Sequence, residues 1–128
     1  MKPRRIPARP VGDRGERYPA WLTDLAGASG CYVIRDKATG RALYVGESHT
    51  GRLYQTISRH LQAWGRLKAH WVGLLGAQAH DPGTTYDRST VTVGVVITSP
   101  AAAMPLQRRL IRSLKPRDNI LETGEPPF

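Results

Sequence analysis

Tyr32, Tyr44, Arg52, Arg59 and His60 are of types that can do acid–base or anion-binding chemistry, for example on a phosphodiester, if a fold brings them together. Hydrolysis of such a bond needs a deprotonated water, neutralised charge on the phosphorane and a stabilised leaving oxygen. Two phenols, a guanidinium, an imidazole and one bound metal ion can meet all three needs. A tyrosine serves as a base only where nearby cations lower its pKa. An arginine grips a phosphate through a two-pronged hydrogen bond. A lone histidine on a helix is more often a surface or packing residue, so the case depends on how the fold places these groups.

Two apolar runs, Gly30-Cys31-Tyr32-Val33-Ile34 and Ala42-Leu43-Tyr44-Val45-Gly46, flank the polar segment from Arg35 to Arg41. β-Branched and aromatic runs around an Asp- and Gly-bearing loop predict a β-hairpin. Alternation puts Tyr32 and Ile34 on one face, Cys31, Val33 and Arg35 on the other, and Tyr44 with Gly46. A suitable register therefore holds both tyrosines on one side. Gly46 leaves room for another backbone or a phosphate to come close.

After a polar loop from Glu47 to Gly51, with Ser48 or Thr50 as helix cap, the spacing of Leu53, Ile57, Leu61 and Trp64 predicts a helix with an apolar stripe. Arg52, Thr56, Arg59 and His60 are expected on a different face. Gly65 ends that helix, and a second one is expected from Arg66 to Leu75. Gly76 through Arg88 reads as loop, with Asp81-Pro82-Gly83 as a turn signal. Residues Thr90 to Thr98 give the clearest strand. The last helix opens at Ser99 or Pro100 and runs to about Leu114, with Leu106, Leu110, Ile111 and Leu114 facing the core and Pro116 stopping it. Upstream, Trp21, Leu22 and Leu25 suggest one helical turn. Residues 1–19 show no apolar period and read as an irregular basic arm, leaving residues 20–128 as one domain.

At these residues the sequence resembles the GIY-YIG nuclease superfamily, as a stand-alone, single-domain member. Gly30-Cys31-Tyr32 and Tyr44-Val45-Gly46 stand at the two name-giving motifs. Arg52-Leu53-Tyr54 to Arg59-His60-Leu61 and Leu110-Ile111 to Lys115-Pro116-Arg117-Asp118-Asn119 continue the likeness. The match spans roughly residues 28 to 120. The resemblance implies an α+β fold, a small three-stranded antiparallel sheet flanked by helices. It also implies a metal-dependent DNA endonuclease using one Mg²⁺ or Mn²⁺. Tyr44 or Tyr32 would orient or deprotonate the water, Arg52 would grip the scissile phosphate, and His60 would carry a proton or partner a tyrosine. Gly46, Ser48, Arg59 and Asn119 would meet or brace the DNA. The helix leading to His60 is about one turn longer than the family's pattern, so Arg59 is an alternative to Arg52.

One position departs from the family. Gln107 stands where it carries its metal-binding Glu, and a neutral amide is a poor ligand for a hard dication. Three explanations follow: an engineered isosteric change, a natural loss of cleavage with binding kept, or another carboxylate in its place. The candidates for the last are Glu47, first, then Asp118 and Glu122.

The 128 residues suit one domain, and a net charge of +9 favours an anionic partner, nucleic acid before membrane. Arg4 and Arg5 in the arm would track phosphates without reading sequence. Cys31 is the only cysteine, which excludes a disulfide framework and a Cys-based zinc site. No apolar stretch is long enough to span a membrane, and the basic N-terminus lacks the apolar core of a secretory signal. A cytoplasmic location is the default. Three functions are then in play: an endonuclease, a DNA-binding module on the same fold that does not cleave, and an RNA-associated protein whose tyrosines only pack the core. Clean cutting of both strands of a duplex would imply a homodimer or two visits by a monomer.

Overall fold

The computed structural model describes residues 3–61 and 85–119. Four strands, β1 (Arg4–Pro10), β2 (Gly30–Asp36), β3 (Ala42–Ser48) and β4 (Val91–Ile97), form one antiparallel sheet in the order β1-β4-β2-β3. The helices among the described residues are α1 (Ala20–Thr23), α2 (Leu53–Leu61) and α3 (Pro100–Leu114), and a 3₁₀ turn at Arg88–Thr90 leads into β4. The architecture is α+β as expected, with one strand more than the three foreseen. The expected helix from Arg66 to Leu75, Trp64, the Asp81-Pro82-Gly83 turn and Glu122 lie outside the described residues.

The additional strand is the arm. Residues read as irregular pair along β4, with Arg4 opposite Ile97 and Ile6 opposite Val95. Proline lacks an N–H, so it is tolerated on an edge strand and beside a bulge. Pro7 sits in the register shift between Ile6 and Arg9, and Pro10 ends the strand. Only Ile6 of this strand is buried, so no alternation marks it in the sequence.

The hairpin forms as predicted. Asp36 ends β2 and organises its loop, its carboxylate accepting from the Ala38 N–H at 3.3 Å and the Thr39 hydroxyl at 2.9 Å. Gly40 supplies the positive φ of 76° that closes the turn. Tyr32 faces Gly46 and Ile34 faces Tyr44, which puts both tyrosines on one side of the sheet. Val93 and Val95 of the central strand β4 join them on that side.

The two faces carry different covers. On the tyrosine face, Leu53, Ile57 and Leu61 of α2 pack with Ile34, Val93 and Val95. On the opposite face lies α3, where the Cys31 thiol donates to the Ala103 carbonyl at 3.0 Å. That close approach is made by a small residue, and Ala103 is the buried residue of α3. Leu106, Leu110, Ile111 and Leu114, expected in the core, are half-buried. The helix seats on β2 and β3 at one shoulder rather than being enclosed. Lys115 ends it in a left-handed conformation, φ 47°, and the chain returns along the open edge of β3. There the Arg117 N–H reaches the Ala42 carbonyl and the Asp118 N–H the Leu43 carbonyl.

Candidate active site at the tyrosine hairpin

Three of the expected residues converge. The Tyr32 hydroxyl and His60 Nε2 are hydrogen-bonded at 2.9 Å. The His60 ring also packs on Tyr44, 4.6 Å between centroids, and the two tyrosine rings lie 6.2 Å apart. The expectation was a concave surface, but all three side chains are enclosed, at 1%, 4% and 6% exposure for Tyr32, Tyr44 and His60. His60 was expected on the polar face of its helix. It lies seven residues, two turns, beyond Leu53, so 3.6-residue periodicity returns it to the apolar stripe. A polar residue on that stripe needs a buried partner, and Tyr32 provides one.

Gly46 and Ser48 have local structural roles. A methyl group at position 46 would overlap the Tyr32 hydroxyl and ring carbons. The close approach foreseen at this glycine is therefore made by the Tyr32 ring. Ser48 is buried, and its Oγ accepts the Arg52 N–H at 2.9 Å and the Thr50 N–H at 3.4 Å. This satisfies donors at the start of α2 that a helix leaves orphaned. Arg52 and Arg59 are both exposed, seven residues apart and so on one outer face of the helix. No ion pair among the described residues engages either of them.

A second set of polar groups lies at the edge of β3. Asn119, 1% exposed, closes that edge at Val45. Its Oδ1 accepts the Val45 N–H at 2.7 Å and its Nδ2 donates to the Val45 carbonyl at 2.8 Å. The side-chain amide thus acts as the missing neighbouring strand. Gln107 comes to the same carbonyl from α3, with its Nε2 at 3.5 Å. Asn119 therefore holds the edge of β3 at Val45.

Tyr86 was not foreseen, because Thr85-Tyr86-Asp87 sits in a stretch that reads as loop. Its N–H donates to the His60 carbonyl at 2.7 Å. Its ring centroid lies 6.5 Å from that of His60. Its hydroxyl donates to Asp118 Oδ2 at 2.6 Å. Tyr86 therefore ties the end of α2 to the residue preceding Asn119. Burial, then the Asp118 carboxylate, pushes the Tyr86 pKa well above its ordinary value, so the phenol stays protonated and keeps donating. Asp118 titrates below the usual carboxylate range, held down first by the Arg117 guanidinium and further by Tyr86.

Among the described residues, the candidate ligands do not converge on a magnesium or manganese site. Such ions take anionic oxygens in a convergent shell. Gln107 turns its amide nitrogen to a carbonyl, and Asp118 is engaged by Tyr86 and Arg117. Glu47 faces away from the tyrosines, paired across the hairpin with Cys31, and sits 3.1 Å from His49 Nδ1. Among the described residues no cluster of three or more His, Cys, Asp or Glu could hold a metal ion. Arg4 and Arg5 belong to β1, at the far edge of the sheet from β3. Two strands intervene, about 14 Å in all at ordinary strand spacing. Among the described residues no helix is long and apolar enough to cross a membrane. No protein-family model matches the chain, and no curated protein matches it either.

Proposed function

We propose that this chain is a GIY-YIG-type DNA endonuclease that hydrolyses phosphodiester bonds, with cleavage impaired by Gln107. The observation that supports this reading is the meeting of Tyr32, Tyr44 and His60 on one face of the hairpin. In sequence these residues are far apart, and only the resemblance gave them a common role. On this reading His60 holds the Tyr32 hydroxyl in place, and Arg52 or Arg59 receives the phosphate. Asn119 keeps β3 in register beneath them. A protein of this kind acts in the cytoplasm on DNA.

The second reading is a DNA-binding module that does not cleave. It is favoured by the enclosure of the three side chains and by the neutral amide at position 107. A cleavage assay separates the two. The native chain and Gln107→Glu are incubated with Mg²⁺ or Mn²⁺ and plasmid, single-stranded, flap and branched DNA. Cleavage by the Glu form supports the endonuclease reading. Binding without cleavage by either form supports the module, and absence of DNA binding removes both.

A further inference from the structure

We propose that the outer face of α3 is the surface on which a DNA duplex lies, its backbone held by Arg108, Arg109 and Arg112 with Lys115 at the helix end. This rests on the DNA-binding reading above in its non-cleaving form, and it puts the contact surface on the sheet face opposite Tyr32, Tyr44 and His60.

Charge is the first observation. The Pro100–Leu114 helix carries three arginines and no acidic residue. Arg108, Arg109, Arg112 and Lys115 are all exposed. Ion pairs among the described residues engage Arg14 and Arg117, and none engages these four. Arg108 and Arg112 are four residues apart, and Arg109 and Arg112 three apart, so like charges are neighbours along one face. Such pairs destabilise a helix, whereas an ordinary solvated face mixes both signs. Cations in the last turn gain from the helix dipole. That accounts for Arg112 and Lys115 but not for Arg108 and Arg109, which lie before the last turn. A polyanion along the helix converts the repulsion into attraction, and arginine forks suit phosphate oxygens.

Shape is the second. Fifteen residues of helix make a rod about 22 Å long. Its exposed N-terminal half presents Ala101, Ala102, Met104 and Pro105, with no acid and no long polar side chain to hold a backbone off. The exposed arginines of β1 make no comparable stripe. Arg5 pairs with Val96 and Arg4 with Ile97, so they project from opposite faces of the sheet. Gln107 precedes Arg108 and reaches the β3 edge at Val45. Gln107 thus turns toward the sheet and leaves the outer face to the arginines.

The test is fluorescence anisotropy with a labelled 30-base-pair duplex over a salt series. It compares the native chain, the triple variant Arg108→Gln/Arg109→Gln/Arg112→Gln and the control Arg4→Gln/Arg5→Gln. The triple variant should lose at least tenfold in affinity near 0.1 M salt. Its log–log salt slope should fall by roughly 2.7, about 0.9 for each phosphate contact removed. The control should change less. If the triple variant loses helical circular dichroism, the three single variants are read instead, each expected to reduce the slope by about 0.9. Tight duplex binding by the native chain with an unchanged slope in the arginine variants overturns this surface and leaves the DNA-binding reading standing. No duplex binding even at low salt overturns both. So does co-sedimentation with phosphatidylserine vesicles in place of DNA, if the arginine variants abolish it.

Discussion

Gly46 and Tyr32 face each other across the hairpin, and the space that a side chain at 46 would fill is occupied by the Tyr32 ring and hydroxyl. The glycine of the second motif thus sets the position of the tyrosine of the first, and with it the bond to His60.

Gly46→Ala should displace Tyr32 and destabilise the fold by about 1–3 kcal/mol, the usual range for overpacking a filled core. Urea denaturation of the variant checks the loss. The same substitution in a Tyr32→Ala background should cost little, because its obstacle is gone. Strictly additive losses in the two single variants and the double would show that the ring is not what excludes the methyl group.

Tyr86 and Asp118 predict a stability change at each end of the pH scale. Asp118 has a lower pKa in the folded chain than its ordinary 3.8. Its contribution is present above that value and is lost as pH falls through the lower, folded one. Tyr86 is raised above its ordinary 10.0, so its contribution is present below that value and lost as pH rises through the folded one. Tyr86→Phe removes the bond and should cost about 1–2 kcal/mol at neutral pH. It should also lose less than the native chain on going below pH 3.8 or above pH 10.0. Urea midpoints across the range decide this, and parallel curves for the two chains would show that the bond adds no pH-dependent stability.

Removal of residues 1–10 should destabilise the domain rather than only weaken DNA binding. The deletion strips β1 from β4 and exposes the surface that Ile6 covers. Loss of one buried isoleucine alone is worth about 1.5–3 kcal/mol. The uncovered β4 edge should also promote association. A lower melting temperature and concentration-dependent light scattering are expected. An unchanged melting curve would mean that the strand contributes no net stability.

The hairpin, α2, β4 and α3 are legible because each has a period and a boundary. Val91–Ile97 alternates, Asp36 and Gly40 punctuate the hairpin, and a proline stands at each end of α3. β1 lacks those signals, since its prolines and arginines resemble a tail and its pairing depends on the distant β4. His60 is hard to read for a different reason: it stands among polar neighbours, although its spacing from Leu53 puts it on the buried stripe. Tyr86 and Asn119 act through contacts with residues far along the chain, and no local pattern reveals them.

Gln107→Glu is the most demanding test. The native amide donates weakly to the Val45 carbonyl, at 3.5 Å. A carboxylate cannot donate there and would be repelled by that oxygen, so it should swing off the strand edge. Val45 would not be left unpaired, because Asn119 holds both its N–H and its carbonyl. Gln107→Glu should therefore fold with a melting temperature close to the native one, and Gln107→Ala likewise. DNA affinity should change little in either, since arginine and lysine supply most phosphate contacts. Cleavage is where they should part. On the endonuclease reading, a charged oxygen at this position should raise Mg²⁺-dependent nicking by roughly 100-fold or more, about 3 kcal/mol of barrier, whereas Ala should not. Chelation with EDTA should abolish the gain. If the native chain already nicks plasmid as fast as the Glu form, position 107 is not the one that matters, and Glu47→Ala becomes the decisive variant.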